Sequence, residues 1–260
     1  MLPFYSNEDG TFVPSASTRG PWDDRFQHGG PPSALLLRVM FEAMPSGFAV
    51  ARLTTEFSRP VPIEPLTVDV SATAGGRRAK RVQAHLRAGD TVVLEATALF
   101  LAENDAIDHP TVTRPGTIEA PWPAPESLEP FEFPFFRNEV AYHRAVEVRP
   151  VDAPWGTTPF RCWARPRVEL VAGTPTRPEE AVVVLADAES GMGPPLDPDA
   201  YSYANPDLTV YFGRRPQPGW TGFEIRSRAD GAGIGLAESR IRDTEGVFGQ
   251  CAQALVIAER

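Results

Sequence analysis

The chain has 260 residues, 42% of them hydrophobic, which is enough for one large domain or for two domains of about 100–150 residues. Its net charge of −9 argues against nucleic acid as a partner, because nucleic-acid-binding proteins present a basic face. The 28 prolines and 21 glycines indicate many turns and therefore many short strands.

The cysteines and the distribution of apolar residues narrow the class of protein further. Cys162 and Cys251 form neither a Cys-x-x-Cys pair nor a Cys/His cluster, so we expect two reduced thiols and no metal site. No apolar run approaches the roughly 20 residues of a membrane span, and the amino-terminal residues lack the basic and apolar segments of a signal peptide. These observations predict a cytoplasmic protein.

The first half of the chain reads as one helix followed by strands. A helix is predicted over residues 33–44, where two prolines precede it, Ser33 is placed to cap it and Pro45 ends it. Because apolar side chains surround nearly its whole circumference, we expect this helix to be buried. Short turns then join four predicted antiparallel strands, at 50–59, 66–74, 78–88 and 91–102.

The second half repeats this layout after a break. Residues 104–137 contain seven prolines and no sustained periodicity, so we interpret them as a linker between units 1–103 and 138–260. A second helix is predicted over 178–189, because Pro178 and two following glutamates suit a helix start. Further strands are predicted at 139–149, 160–171, 207–214, 220–230, 234–243 and 247–258.

The two halves share short motifs at nearly the same separation. LTxxFxRP over residues 53–60 returns as LTxxFxRRP over 208–216, at an offset of 155, and ALFLAE over 98–103 returns as ALVIAE over 254–259, at an offset of 156. Duplication explains both matches. In each copy an apolar helix can cover one face of an antiparallel sheet. We therefore predict an α+β fold of two tandem repeats, a double hotdog.

One further segment suggests a family. Residues 26–35, Phe-Gln-His-Gly-Gly-Pro-Pro-Ser-Ala-Leu, follow Trp22 and lead into the first predicted helix. With this segment, the repeat and the Cys-Ala-Gln-Ala-Leu of 251–255, nearly the whole chain outside the linker resembles the acyl-CoA thioesterase II (TesB-like) family. The resemblance implies hydrolysis of a fatty acyl-CoA to free acid and CoA, without metal, cofactor or covalent acyl-enzyme. We also expect a homodimer or higher homo-oligomer, which would cover the sheet edges.

The resemblance also implies catalytic residues. The family uses an Asp, a Thr or Ser, and a Gln of the second repeat to orient the attacking water, and these positions fall on Asp187, Asn205 and Gln253. Asn205 departs from the pattern, although its amide can both donate and accept a hydrogen bond. We expect burial to raise the pKa of Asp187, so that it acts as a base near neutral pH.

Substrate contacts are predicted at His28, Gly29 and Gly30, because glycines at a helix start let a thioester approach backbone N–H groups. The acyl chain is expected in an apolar tunnel beside the helices. The basic run over 77–81 could meet the phosphates of CoA, but a solvated hairpin face explains it as well.

Each candidate residue has a structural alternative. Asp187 could be a polar residue at a helix end, Gln253 a buried structural amide, Asn205 a turn residue before proline, and His28 a loop histidine bonded to backbone.

Two other functions stay open on the same fold. A non-catalytic acyl-CoA or acyl-chain binding protein is possible because Asn205 has no hydroxyl, and an enoyl-CoA hydratase or dehydratase would use His28. The chain contains neither the Gly-x-Ser-x-Gly elbow of α/β-hydrolases nor the Gly-Asp-x-Asn-Pro-x-x-His pattern of hotdog hydratases. Thioester hydrolysis by water is therefore the first hypothesis.

Overall fold

The computed structural model describes residues 1–73, 75–104, 121–134, 136 and 138–260. The strands within these ranges are β1 (Tyr5–Glu8), β2 (Thr11–Pro14), β3 (Phe48–Glu56), β4 (Leu66–Thr73), β5 (Ala79–Ala88), β6 (Thr91–Ala102), β7 (Val146–Pro150), β8 (Phe160–Pro166), β9 (Tyr201–Ala204), β10 (Asp207–Phe212), β11 (Thr221–Ala229), β12 (Ile234–Asp243) and β13 (Gly246–Glu259). The α-helices are α1 (Gly30–Glu42), α2 (Tyr142–Ala145), α3 (Pro178–Ala186) and α4 (Glu189–Met192). No helix in the described ranges has the length and apolar character that crossing a lipid bilayer requires.

The strands form one large sheet of antiparallel pairs. From the centre outward, one half follows the order β3, β6, β5, β4, β2, β1, and the other follows β10, β13, β12, β11, β8, β7. β9 adds to the end of β13. Because the two orders match strand for strand, the repeat covers six strands in each half, more than the motifs alone indicated. With α1 and α3 packed on the sheet, this is the predicted α+β double hotdog.

The two halves meet where β3 pairs with β10. In this pair Thr54 lies directly opposite Thr209, and their Oγ1 atoms are 3.1 Å apart. These are the two threonines that the LT motif equates between the copies. Because equivalent residues face each other in an antiparallel pair, an approximate two-fold axis passes between them and relates the two halves.

Helix α1 starts earlier than the sequence predicted. It begins at Gly30, not at Ser33, and includes Pro31 and Pro32 in its first turn, where a missing N–H removes no helical hydrogen bond. Ser33 does not cap the helix, because its hydroxyl donates to the carbonyl of Gly29 at 2.7 Å from inside the first turn. The helix also ends two residues before the predicted boundary. Its predicted burial is confirmed, since its three consecutive leucines are inaccessible to solvent.

Helices α1 and α3 touch at Gly30. A Cβ atom on Gly30 would lie 2.1 Å from the carbonyl oxygen of Val184, which is far inside van der Waals contact. Helix α3 ends at Ala186, short of the predicted end at residue 189, and Asp187 follows it directly. The missing side chain at Gly30 therefore sets how closely the amino end of one helix approaches the carboxyl end of the other.

We expect Gly30→Ala to lower the free energy of unfolding by about 2 kcal/mol or more, because α1 and α3 must separate to admit a methyl group. In a chain of this length that corresponds to a fall of roughly 5 °C in Tm. Gly231→Ala is the matched control, since no atom lies within 4 Å of its added Cβ. Calorimetry of both variants tests the prediction, and equal Tm values would contradict it.

A buried ion pair also joins these helices. Nη2 of Arg38 in α1 donates to Oε2 of Glu180 in α3 at 2.7 Å, and the two side chains are 4% and 0% exposed. The same nitrogen donates to the carbonyl of Pro175 at 2.9 Å, and the backbone N–H of Arg177 donates to Oε2 of Glu180 at 2.9 Å. Glu180 thus holds both Arg38 and the first turn of α3.

Several strand predictions in the second half were wrong in extent. The segment 139–149 contains helix α2, which begins at Tyr142, so β7 begins only at Val146. Strand β8 ends at Pro166 and not at residue 171. The sequence pattern also missed β1, β2 and β9, which have four residues each and are too short for alternation to stand out.

Part of the predicted linker 104–137 belongs structurally to the second half. Phe131 forms a bridge to Val148 of β7. The remaining linker positions 105–120, 135 and 137 lie outside the described residues. The division into units 1–103 and 138–260 therefore stays a prediction.

Candidate active site

A buried pair of side chains lies where α1 and α3 meet. His28 precedes α1 and Asp187 directly follows α3, so the antiparallel packing of the two helices brings them together. Nδ1 of His28 lies 2.8 Å from Oδ2 of Asp187, and their side chains are 12% and 4% exposed. A carboxylate only accepts, so Nδ1 carries the proton. The backbone N–H of Gly30 also donates a hydrogen bond to the carboxylate of Asp187.

Asn205 holds the other oxygen of Asp187. Its Nδ2 donates to Oδ1 of Asp187 at 2.7 Å and to the backbone carbonyl of Asp207 at 3.2 Å. Both carboxylate oxygens therefore have a side-chain donor, one from each half of the chain. The amide acts here as a donor to Asp187, a function for which a hydroxyl is not required.

The pKa of Asp187 is lower than its ordinary value, contrary to the sequence-based expectation. Burial alone would raise this pKa, but the charge of His28 and the hydrogen bonds from His28, Asn205 and the backbone of Gly30 outweigh burial. The carboxylate is therefore ionised throughout the neutral range. A carboxylate of low pKa is a weak proton acceptor, so Asp187 is better suited to hold His28 than to remove a proton itself.

Tyr142 fixes the plane of the histidine ring. The rings of His28 and Tyr142 stack with centroids 3.7 Å apart and an angle of 8° between their planes. The hydroxyl of Tyr142 donates to the carbonyl of Val184 at 2.8 Å, which anchors the stack to α3. Sequence reasoning missed Tyr142, and no local pattern marks a residue 114 positions from the histidine it contacts.

Two cavities meet at this site. The smaller has a volume of about 90 Å³, and both His28 and Asp187 line it. The larger is a cleft of about 1000 Å³. Gly29 and Asn205 line both cavities, so a ligand that fills the cleft can extend into the smaller cavity past these two residues.

The structure groups five of the six predicted site residues: His28, Gly29, Gly30, Asp187 and Asn205. Gln253 on β13 is the exception. Its side chain is 1% exposed, and neither amide atom has a hydrogen-bond partner within the described ranges. It lines neither of the two cavities. An unpartnered buried amide is costly for stability, but its part in catalysis stays a prediction.

Comparison with protein families covers most of the chain. The model of the acyl-CoA thioesterase N-terminal domain matches residues 18–101, and that of the acyl-CoA thioesterase C-terminal domain matches residues 121–257. The chain belongs to the acyl-CoA thioesterase family. The resemblance found in the sequence is thereby confirmed, and the protein is a thioesterase.

Solved structures similar to this thioesterase share its fold. The acyl-CoA thioesterase II TesB2 of Mycobacterium marinum is 18% identical, with 98% of this chain and 96% of that chain covered and a TM-score of 0.69. The tesB protein of Mycobacterium avium subsp. paratuberculosis is 19% identical, with 98% and 95% covered and a TM-score of 0.66. A hot dog fold protein of unknown function from Alicyclobacillus acidocaldarius is 17% identical, with 98% and 95% covered and a TM-score of 0.71. At these identities the likeness shows the fold alone. Among curated proteins, no match is found.

A second buried carboxyl group of the thioesterase lies two residues beyond Asp187. Oε2 of Glu189 accepts hydrogen bonds from the hydroxyl of Ser239 and from the thiol of Cys251, the latter at 3.2 Å. Burial raises the pKa of Glu189 to about 7, and the nearby charges of Asp187 and Glu238 act in the same direction. This carboxyl group is therefore protonated below neutral pH in the folded protein.

Because of Glu189, we expect the free energy of unfolding of the thioesterase to fall as pH rises from 4.5 to 7. The folded state binds this proton more tightly than the unfolded state, so the contribution is present below pH 4.5 and is lost as pH rises through about 7. Glu189→Gln cannot ionise at this position. The Tm of the variant minus that of the wild type is therefore expected to increase from pH 5 to pH 8. Glu132→Gln, on an exposed glutamate that pairs with Arg144, is the control and is expected to leave the pH dependence of Tm unchanged. Tm curves of wild type and Glu189→Gln that stay parallel would contradict the prediction.

Proposed function

We propose that this thioesterase hydrolyses an acyl-CoA to a free carboxylic acid and CoA, with the attacking water activated by His28 and Asp187. The contact of 2.8 Å between Nδ1 of His28 and Oδ2 of Asp187 carries the proposal, because both side chains line a cavity between the two halves. A histidine held by an ionised carboxylate is a common arrangement for general base catalysis.

The proton transfer is assigned to His28. In the neutral form of His28, with the proton on Nδ1, Nε2 carries a lone pair, which accepts a proton from water as the oxygen attacks the thioester carbonyl. The C–S bond then breaks, and the proton passes to the sulfur of CoA. Asp187 stabilises the imidazolium that forms, and Asn205 acts as a positioning residue through its hydrogen bond to Asp187.

The developing oxyanion needs a donor, and the backbone N–H of Gly29 is the candidate. Gly29 stands just before the first residue of α1, where the helix dipole favours negative charge, and it lines both cavities. A Cβ atom there would lie 2.8 Å from Oδ1 of Asp187 and 2.5 Å from Cζ of Phe57. We also keep Gln253 as a proposed second orienter of water, supported by its buried, unpartnered amide.

Assays of CoA release from acyl-CoA thioesters test the proposal. We expect turnover by the wild type and a loss of about 10²–10⁴-fold in kcat for His28→Ala. His85→Ala is the control, since His85 is a half-exposed histidine on β5 whose Nε2 lies 3.5 Å from Oε2 of Glu95. Binding of acyl-CoA in calorimetry without turnover would instead identify a binding protein, and hydration of an enoyl-CoA would identify a hydratase.

We also propose a cytoplasmic homodimer or higher homo-oligomer. Ile234 and Val256 lie opposite each other on β12 and β13, with 66% and 59% of their surfaces exposed. Exposed apolar pairs of this kind are common in association surfaces. Sedimentation equilibrium of the wild type would give the mass, and a monomer at micromolar concentration would contradict this part of the proposal.

A further inference from the structure

The two cavities at the active site differ in what they can hold. His28 and Asp187 line only the smaller cavity, so the reacting carbonyl must lie within it or at its entrance. The cleft of about 1000 Å³ is the one of the two with the volume for a large organic group. The part of the substrate beyond the carbonyl must therefore fit in the remainder of a space of about 90 Å³, or else lie in the cleft.

The charged residues of the cleft assign it to the CoA part of the substrate. Arg59 and Arg260 line the cleft, and phosphate groups are recognised by arginine. Of its two acidic residues, Asp23 pairs with Arg25, and Asp24 accepts a hydrogen bond from the amide of Asn138. Among the described residues that line the smaller cavity, none is a lysine or an arginine. An anionic carrier therefore matches the cleft and not the smaller cavity.

Three aromatic side chains belong to the lining of the smaller cavity alone. Phe133, Phe136 and Tyr142 line it but not the cleft, and Phe136 stacks on His143 with ring centroids 4.4 Å apart. Neither cavity is lined by any residue of α1 or α3, so neither provides the apolar tunnel beside the helices that the sequence led us to expect. The three aromatic rings suit contact with a hydrocarbon group, and the small volume of the cavity limits its length.

We propose that the smaller cavity is the acyl pocket of this thioesterase and that it selects short acyl groups of roughly four carbons or fewer. An apolar protein cavity of about 150 Å³ holds the six carbons of benzene, so a space of about 90 Å³ suits roughly four carbons. The inference rests on the proposed function, because it takes His28 and Asp187 as the place where the thioester reacts.

The test is kcat/KM of the wild type on acetyl-, butyryl-, hexanoyl-, octanoyl- and palmitoyl-CoA. We expect the maximum at acetyl- or butyryl-CoA and a fall of at least about tenfold at octanoyl-CoA. A maximum at octanoyl- or palmitoyl-CoA would overturn the short-chain inference while leaving the proposed hydrolysis intact. No hydrolysis of any thioester would overturn the proposed function, and this inference with it.

Variants at Phe136 test whether this wall sets the limit. Phe136→Ala is expected to move the maximum to hexanoyl-CoA or longer, and Phe136→Leu, which keeps more of the packing, is expected to move it less. Phe48→Ala is the matched control, because Phe48 is a partly buried phenylalanine on β3 that lines neither cavity. An unchanged chain-length profile in folded Phe136→Ala, verified by its Tm, would overturn the assignment of the pocket.

Discussion

Replacing Asp187 with asparagine is expected to lower kcat for acyl-CoA hydrolysis by about 10²–10⁴-fold. Asparagine has nearly the same size, so the contacts with the cavity wall persist. It lacks the negative charge that holds the proton on Nδ1 of His28 and that stabilises the imidazolium during the reaction. We expect the effect in kcat and not in KM, because Asp187 contacts the reacting part of the site and not the cleft.

The matched control for this variant is Asp199→Asn, an exposed aspartate in the loop before β9. It is expected to keep the wild-type kcat. Equal rates for Asp187→Asn and the wild type across the acyl-CoA panel would remove Asp187 from the mechanism. Loss of activity together with loss of the folded state would point to a structural role, so both variants are also compared by calorimetry.

The carboxylate of Asp187 also makes the free energy of unfolding depend on pH. Its pKa in the folded state lies below the ordinary value of 3.8, so it stabilises the fold above that value. The contribution is lost as pH falls through the lower, folded-state pKa. The difference in Tm between wild type and Asp187→Asn is therefore expected to be constant near neutral pH and to shrink below about pH 4.

Removal of the buried carboxylate at Glu180 is expected to have the largest effect on stability. Glu180→Ala leaves the guanidinium of Arg38 buried without its ionic partner, which typically costs about 3–5 kcal/mol. The variant also loses the acceptor for the N–H of Arg177 at the start of α3. In a chain of this length we expect Tm to fall by roughly 10 °C.

An exposed ion pair supplies the control for Glu180→Ala. Glu132 contacts Arg144 at 2.6 Å, but its side chain is 74% exposed, so Glu132→Ala is expected to cost at most about 1 kcal/mol. The double variant Arg38→Met/Glu180→Leu removes both charges and is expected to recover much of the lost stability. A fall in Tm for Glu180→Ala no larger than that for Glu132→Ala would show that the buried pair does not hold the helices together.

The sheet could be predicted from sequence because its long strands carry a clear pattern. The alternation over 66–74 and the repeated LT motifs each depend only on neighbouring residues or on one constant offset. The start of α1 could not be placed in the same way, because two prolines suit both the first turn of a helix and the segment before it. In the structure the N–H of Ser33 donates to the carbonyl of Gly29 at 3.1 Å, which places both prolines in the first turn.

The positions of the candidate site could be predicted from the sequence, but their spatial arrangement could not. The family resemblance indicated Asp187 and Asn205, and a histidine before the first helix, yet nothing local in the sequence shows that these groups touch. The direction in which the pKa of Asp187 shifts depends on those contacts. Reasoning from burial alone therefore predicted a raised pKa where the structure gives a lowered one. Tyr142 and the aromatic wall of the smaller cavity follow from packing across distant segments and carry no local signal.

The two-fold axis at the β3–β10 pair gives the candidate site a symmetry-related counterpart at the opposite ends of α1 and α3. Asp187 stands nine positions after the first residue of α3, and the position nine after the first residue of α1 is Val39. His28 stands two positions before α1, and Thr176 stands two positions before α3. The hydroxyl of Thr176 accepts a hydrogen bond from the N–H of Leu170. Beside these residues, Nη2 of Arg38 donates to the carbonyl of Pro175, so Arg38 lies at this counterpart position. The counterpart position therefore joins the two halves through the hydrogen bonds of Arg38 to Pro175 and Glu180.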